Sequence, residues 1–242
     1  MEAFLRELIH TLRNRMNGMV LEATDLGERL AERFPEQPGQ PTMHQEVQPL
    51  ITQARDVAQW LKSVRDKVEP PEARRSELAL KKWAEQTARE LNFGPFSSGA
   101  IPQNAMAHWD AALIRDALQE LWANACESVD FDHGADSTPA NATVTLTPDS
   151  AAGSSANQPA RVVWKITNPA PTREAMRLSE ADLALIGTLG FTRRRQRLGL
   201  GCAYARKIAE RHGGTCTWSL QSASDSGQPA NVVAMLTLPL GV

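Results

Sequence analysis

One pattern governs the first 68 residues of the chain. Leu5, Leu8, Ile9, Leu12, Met16, Met19, Val20, Ala23, Leu26, Leu30 and Phe34 recur at steps of three and four. That spacing gathers side chains on one face of an α-helix. The stretch Pro35 to Pro41, with Gly39 inside it, stops the helix and makes a turn. A second stripe follows in Val47, Leu50, Ile51, Ala54, Val57, Leu61, Val64 and Val68, and Pro70-Pro71 ends it. Two antiparallel helices are too thin to bury both stripes. Two copies packed as a four-helix bundle solve this most simply, so the hairpin is expected to be a dimerisation element.

Beyond the Pro-Pro break the pattern changes to that of an α+β chain. Ser76 to Leu91 reads as a helix with Leu78, Leu80, Trp83, Thr87 and Leu91 inward, and Pro102 to Ala107 as a strand. Asp110 to Val129 reads as a strong helix, with Ala112, Leu113, Ala117, Leu121, Ala125 and Val129 on its apolar side and Asp110 near its start. Ala142 to Thr147 and Arg161 to Thr167 alternate and are β-branched, so they read as strands joined by the loop Asp149 to Pro159. Leu200 to His212 reads as a helix closed by Gly213-Gly214, which suits a left-handed C-cap. Thr215 to Leu220 and Asn231 to Leu238 supply two more strands. Helices and antiparallel strands in separate runs imply a two-layer α/β sandwich. The expected division is a hairpin domain at 1–72 and an α/β domain at 73–242.

Composition narrows the function classes. Lys+Arg 26 against Asp+Glu 28 gives no basic excess to bind nucleic acid or an anionic membrane. No apolar run approaches the roughly 18 residues that span a bilayer, and no signal-peptide pattern opens the chain. Cys126, Cys202 and Cys216 form no metal-ligand spacing and read as buried free thiols, so a cytoplasmic location is expected. The six tryptophans are scattered, which suits core or interface positions.

Three segments carry the chemistry. In the first, His10 sits on the shoulder of the apolar stripe, with Asn14 one turn further on the same face. An imidazole that reaches solvent with a neutral nitrogen can attack phosphorus. In the second, Glu120 and Asn124 stand four apart on one helix and point to one side. In the third, Gly199-Leu200-Gly201 precedes a helix that ends at His212-Gly213-Gly214. Glycines there let the backbone approach phosphate, and the helix start offers free N–H groups.

In this order the three segments resemble the H-box, N-box and G2 box of two-component histidine kinases, and the second domain resembles the GHKL ATPase fold. The resemblance covers nearly the whole chain. It implies a phosphoacceptor in His10 and, in Asn14, a polar residue that helps water attack a regulator's phosphoryl group. It also implies an acidic partner in Glu120, a Mg²⁺ ligand in Asn124, an ATP-phosphate turn at Gly199 and Gly201, and a basic lid at Arg193, Arg194, Arg195 and Arg197. The implied cofactors are ATP and Mg²⁺. The implied partners are a second copy of the chain and the receiver domain of a response regulator. His212 reads as a cap or packing residue.

The chain departs from the family pattern at three places. Thr11 stands where an acid normally follows the histidine, and Arg15 replaces a common proline. Asn168-Pro-Ala-Pro-Thr172 stands where an Asp-x-Gly-x-Gly segment normally binds adenine. Asn168 keeps an amide oxygen for the base but loses charge assistance. Three functions stay open: an ATP-dependent kinase that phosphorylates His10 and then a regulator aspartate, a phosphorelay intermediate with a degenerate ATP-type domain, and a non-enzymatic scaffold for a regulator.

Overall fold

The computed structural model describes residues 2–33, 43–133, 142–149, 161–170, 178–192, 198–221 and 231–241. The chain divides into two compact units, Met1–Pro70 and Pro71–Val242.

The first unit is a pair of packed helices, α1 (Glu2–Arg33) and α2 (Met43–Val68). The expected turn at 35–41 lies outside the described residues, as do the side chains of Leu5, Leu8, Leu30 and Val47. The two stripes behave differently along their width. Ile9, Ile51, Leu61, Val64 and Val68 are buried, and Met16, Val20 and Ala23 are half-buried. Leu12, Met19 and Leu26 remain 41%, 56% and 52% exposed. Those three stand seven residues apart, each three residues after one of Ile9, Met16 and Ala23. The helix thus carries a heptad seam of which only one half is covered within the chain. On α2, Leu50, Val57 and Trp60 are likewise exposed.

The second unit is a sheet with helices on one face. Its elements are β1 (Ser76–Ala79), α3 (Leu80–Glu90), β2 (Phe96–Ser97), β3 (Met106–Trp109), α4 (Ala111–His133), β4 (Thr143–Pro148), β5 (Arg161–Pro169), α5 (Glu180–Leu185), α6 (Gly201–Arg211), β6 (Thr215–Gln221) and β7 (Asn231–Pro239). Among the described residues the main sheet runs β2-β4-β5-β7-β6, antiparallel except for the short β2-β4 pair. Leu146, Trp164 and Leu236 lie side by side in register, as do Val144, Ile166 and Ala234, and all are buried. This face carries α4 over β5 and α6 over β6. The alternation of β5, buried at Val162, Trp164, Ile166 and Asn168 and half-buried between, is that of a sheet with one covered face.

Two expectations are corrected. Ser76 to Ala79 is a strand, not the first turn of a helix. It pairs with β3, which places Leu78 opposite Ala107. The pattern had no way to show this partner, because the pairing closes a loop of some thirty residues. The strand expected at Pro102 to Ala107 lies instead at Met106–Trp109, and Ile101 to Asn104 turn. Proline at the head of a segment suits the turn.

On α4, Leu113, Ala117, Leu121 and Ala125 are buried as expected, but Ala112 is exposed and the side chain of Val129 lies outside the described residues. Its start is fixed by Asp110, whose Oδ1 accepts from the N–H groups of Ala112 at 3.2 Å and Leu113 at 3.1 Å. Tryptophans fill the core between helices and sheet. Trp83 meets Trp109 and Trp164 edge-on at centroid distances of 5.9 and 6.0 Å.

Candidate functional site

The helices α4 and α6 pack antiparallel, and contacts at both ends fix their alignment. At one end the backbone N–H of Asp110 donates to Nε2 of His212 at 3.1 Å. At the other, the Glu120 carboxylate lies against Gly201, and Asn124 Nδ2 donates to Cys202 Sγ at 3.5 Å. From Asp110 to Glu120 is ten residues and from Gly201 to His212 eleven. At 1.5 Å of rise each, the two spans match at about 15–17 Å. Residues that lie some eighty positions apart in sequence therefore meet at one end of this pair.

The glycines of that end are required by space and by backbone. Gly199 has φ +64°, and a Cβ on it would sit 2.5 Å from the carbonyl oxygen of Phe191. A Cβ on Gly201 would sit 2.5 Å from Glu120 Oε2. Leu200 at the N-cap makes no side-chain cap hydrogen bond to α6. The Gly190 N–H donates to the Gly199 carbonyl at 3.3 Å, pinning the segment before the basic run to the turn after it. Arg193, Arg194, Arg195 and Arg197 themselves lie outside the described residues.

These residues fit a nucleotide triphosphate with Mg²⁺. The turn is a cradle that side chains would fill, and it opens on a helix start whose dipole favours an anion. The carboxylate beside it would repel phosphate if alone, but together with the amide oxygen of Asn124 it would offer the hard oxygen donors that Mg²⁺ takes. Asn168 stands on the helix-facing side of β5, the strand under α4, and is buried. Its Nδ2 donates to the Pro169 carbonyl at 3.0 Å. The rebuilt segment thus has a local use for an amide: an aspartate here would face a carbonyl oxygen with no proton to share. Pro171 and Thr172 lie outside the described residues.

His10 and Asn14 belong to the first unit. Both are exposed on α1, and Asn14 Nδ2 lies 3.4 Å from His10 Nδ1, which accepts from it when the ring proton is on Nε2. Thr11 is exposed as well.

Sequence reasoning missed several members of the site region. Cys202 and Cys126 were expected buried but are half-buried, and Cys202 is the partner of Asn124. Gly187 and Gly190, both at φ +83°, shape the approach to the basic run at 193–197. Arg206 donates to the Ile186 carbonyl at 2.6 Å and lies 5.2 Å from the ring centre of Trp218, holding that approach onto β6. The glycine spacing at 187 and 190 was the available signal.

No protein-family model matches the chain, and no curated protein matches it in sequence. Solved structures do. The full-length histidine kinase ShkA in complex with AMPPNP aligns over 99% of this chain and 46% of its own, with a TM-score of 0.53 at 17% identity. The chain spans about half the length of that protein. The catalytic domain of the histidine kinase ThkA aligns over 69% of this chain and 96% of its own, with a TM-score of 0.44 at 19% identity. The mycobacterial sensor histidine kinase MprB aligns over 68% and 97%, with a TM-score of 0.44 at 17% identity. The fold is that of the histidine-kinase core. Among the described residues no helix is long and apolar enough to cross a membrane.

Proposed function

We propose that the chain is a two-component signalling protein that works as a dimer. It binds Mg-ATP in the α/β unit, phosphorylates His10 and passes the phosphoryl group to an aspartate on a response regulator. The observation that carries this reading is the meeting of Glu120 and Asn124 with the Gly199–Gly201 turn. The triphosphate would supply the group transferred and a leaving ADP. The chain's part is to place charge and atoms. The start of α6 and the two glycines receive phosphate oxygens, Asn124 and Glu120 offer Mg²⁺ its protein oxygens, and Asn168 meets the base. The lone pair of a neutral His10 nitrogen is the attacking group; for Nε2 to attack, the ring proton must sit on Nδ1, and the Asn14 amide beside it has to turn its oxygen to accept that proton. The half-covered heptad seam Leu12, Met19 and Leu26 supports pairing of two hairpins into a four-helix bundle.

A second reading has its own support. Thr11 cannot take a proton as an acid would, and the Asn168 amide is engaged with Pro169. A phosphorelay protein that takes its phosphoryl group from one regulator and gives it to another needs His10 but no nucleotide. Incubation with Mg-[γ-³²P]ATP separates the two. The kinase reading expects acid-labile, base-stable label that His10→Ala abolishes. If the wild type takes no label from ATP but takes it at His10 from a phosphorylated receiver domain, the relay reading stands. If neither donor labels it, the chain is a scaffold.

A further inference from the structure

His212 closes a motif that the site itself does not use. It is buried, and both ring nitrogens are engaged. Nδ1 lies 2.8 Å from the Ile208 carbonyl of its own helix, which fixes the proton there, and Nε2 accepts the Asp110 N–H at 3.1 Å. The first bond caps α6 locally. The second reaches a different helix, at the residue whose carboxylate caps α4 through Oδ1 and accepts the Arg74 N–H through Oδ2 at 2.7 Å. The same corner holds the chain leading into β1 by two more bonds. Arg211 donates to the Pro71 carbonyl, and Arg75 donates to the Arg211 carbonyl.

We infer that His212 is a positioning residue for the nucleotide site: its bond to the head of α4 sets the alignment of α4 on α6, and so the placement of Glu120 and Asn124 against Gly199–Gly201. This rests on the reading that the turn takes a nucleotide. Two helices that pack side by side can slide along or rotate about their axes, and a contact at each end removes that freedom. The contacts at the site end include a carboxylate against a glycine and a long bond to sulfur. The better-formed bond, 3.1 Å long and made to a buried ring, lies at the other end. Losing it frees both helices where the oxygen donors meet the phosphate turn.

Two conservative variants separate this role from simple capping. His212→Asn places an amide near Nδ1 and can keep the local bond to Ile208, but offers nothing to Asp110. His212→Gln places its oxygen near Nε2 and can keep the bond to Asp110. The readout that needs no nucleotide is alkylation of Cys202 by iodoacetamide, followed by peptide mass spectrometry, with buried Cys216 as the internal control. The second readout is the affinity for a fluorescent ATP analogue with Mg²⁺. His212→Asn should alkylate Cys202 several-fold faster and bind the analogue about five- to tenfold more weakly, as for one lost hydrogen bond. His212→Gln should match the wild type in both. The reverse pattern would show a local cap, and two variants like the wild type would show no role; either overturns the inference. If the wild type itself binds no analogue, the nucleotide reading falls while the alkylation result still decides the positioning role.

Discussion

The carboxylate of Glu120 lies so close to Gly201 that a Cβ on the glycine would sit 2.5 Å from Oε2. An acidic side chain thus rests at the start of a helix, where an anion is favoured, beside the place a phosphate would take. A divalent cation held by Glu120 and Asn124 would reconcile the two negative groups. Gly201→Ala should push the carboxylate aside and weaken Mg-nucleotide binding by roughly tenfold or more. The fold should survive, because the atom displaced is the far end of a flexible side chain. A calorimetric titration beside a thermal melt checks both parts.

Gly199 is constrained differently. Its φ of +64° costs an L-residue about 1–2 kcal/mol, and the atom its Cβ would meet is the backbone oxygen of Phe191. Gly199→Ala should therefore lower the unfolding free energy by at least that amount as well as impair binding. Denaturant unfolding of the two glycine variants side by side should separate them, with only Gly199→Ala markedly destabilised.

His212 predicts a pH dependence of stability. Burial is the main cause that holds its pKa below the ordinary value, Arg75 adds to the lowering, and the Ile208 carbonyl and Asp110 oppose it. The folded state therefore binds this proton less readily than the unfolded chain. Its contribution to stability is full above the ordinary histidine value of about 6.5. It is lost as pH falls from there through the folded pKa. His212→Gln should flatten that part of the profile measured by urea unfolding from pH 7.5 to 5, and an unchanged slope would refute it.

Trp109 and Trp164 are equally buried but not equally bonded. The indole N–H of Trp109 donates to the Pro239 carbonyl at 2.6 Å, whereas that of Trp164 has no partner among the described residues. Both substitutions to Phe lose similar volume. Trp109→Phe should cost about 1 kcal/mol more, since it leaves a buried carbonyl unpaired. Equal losses in chemical unfolding would count against this.

Leu12, Met19 and Leu26 are exposed on α1, so the lone chain gains little from them. If they are the uncovered half of a dimer seam, Leu12→Glu with Met19→Glu should shift sedimentation from dimer to monomer. Far-ultraviolet dichroism of the α/β unit should stay unchanged. A wild-type chain that sediments as a monomer would remove the seam argument altogether.

The helical hairpin was legible because its signal is periodic and long: eleven apolar positions on one face leave little choice. The strands β4 and β5 were legible for the same reason at period two. β1 was not, since Ser76 to Ala79 is only four residues long and takes its meaning from Met106–Trp109. The helix α5 was missed although Ser179 and Asp182 form a capping box, with Ser179 N–H donating to Asp182 Oδ2 at 2.7 Å. Six residues are too few to show a stripe. Within the candidate site, Asn124 and the glycines stood out by motif. The pairing of Asn124 with Cys202, and of Asp110 with His212, depends on two helices packing antiparallel, and no local pattern carries that.

The claim on which the rest depends is that the α4–α6 corner holds a Mg-nucleotide. Its most direct test is a titration of the whole chain with AMPPNP and Mg²⁺, repeated on Asn124→Ala. The account predicts saturable binding to the wild type that needs Mg²⁺, weakened about tenfold or more in the variant. Absence of binding at millimolar nucleotide, or equal binding by Asn124→Ala, would contradict it.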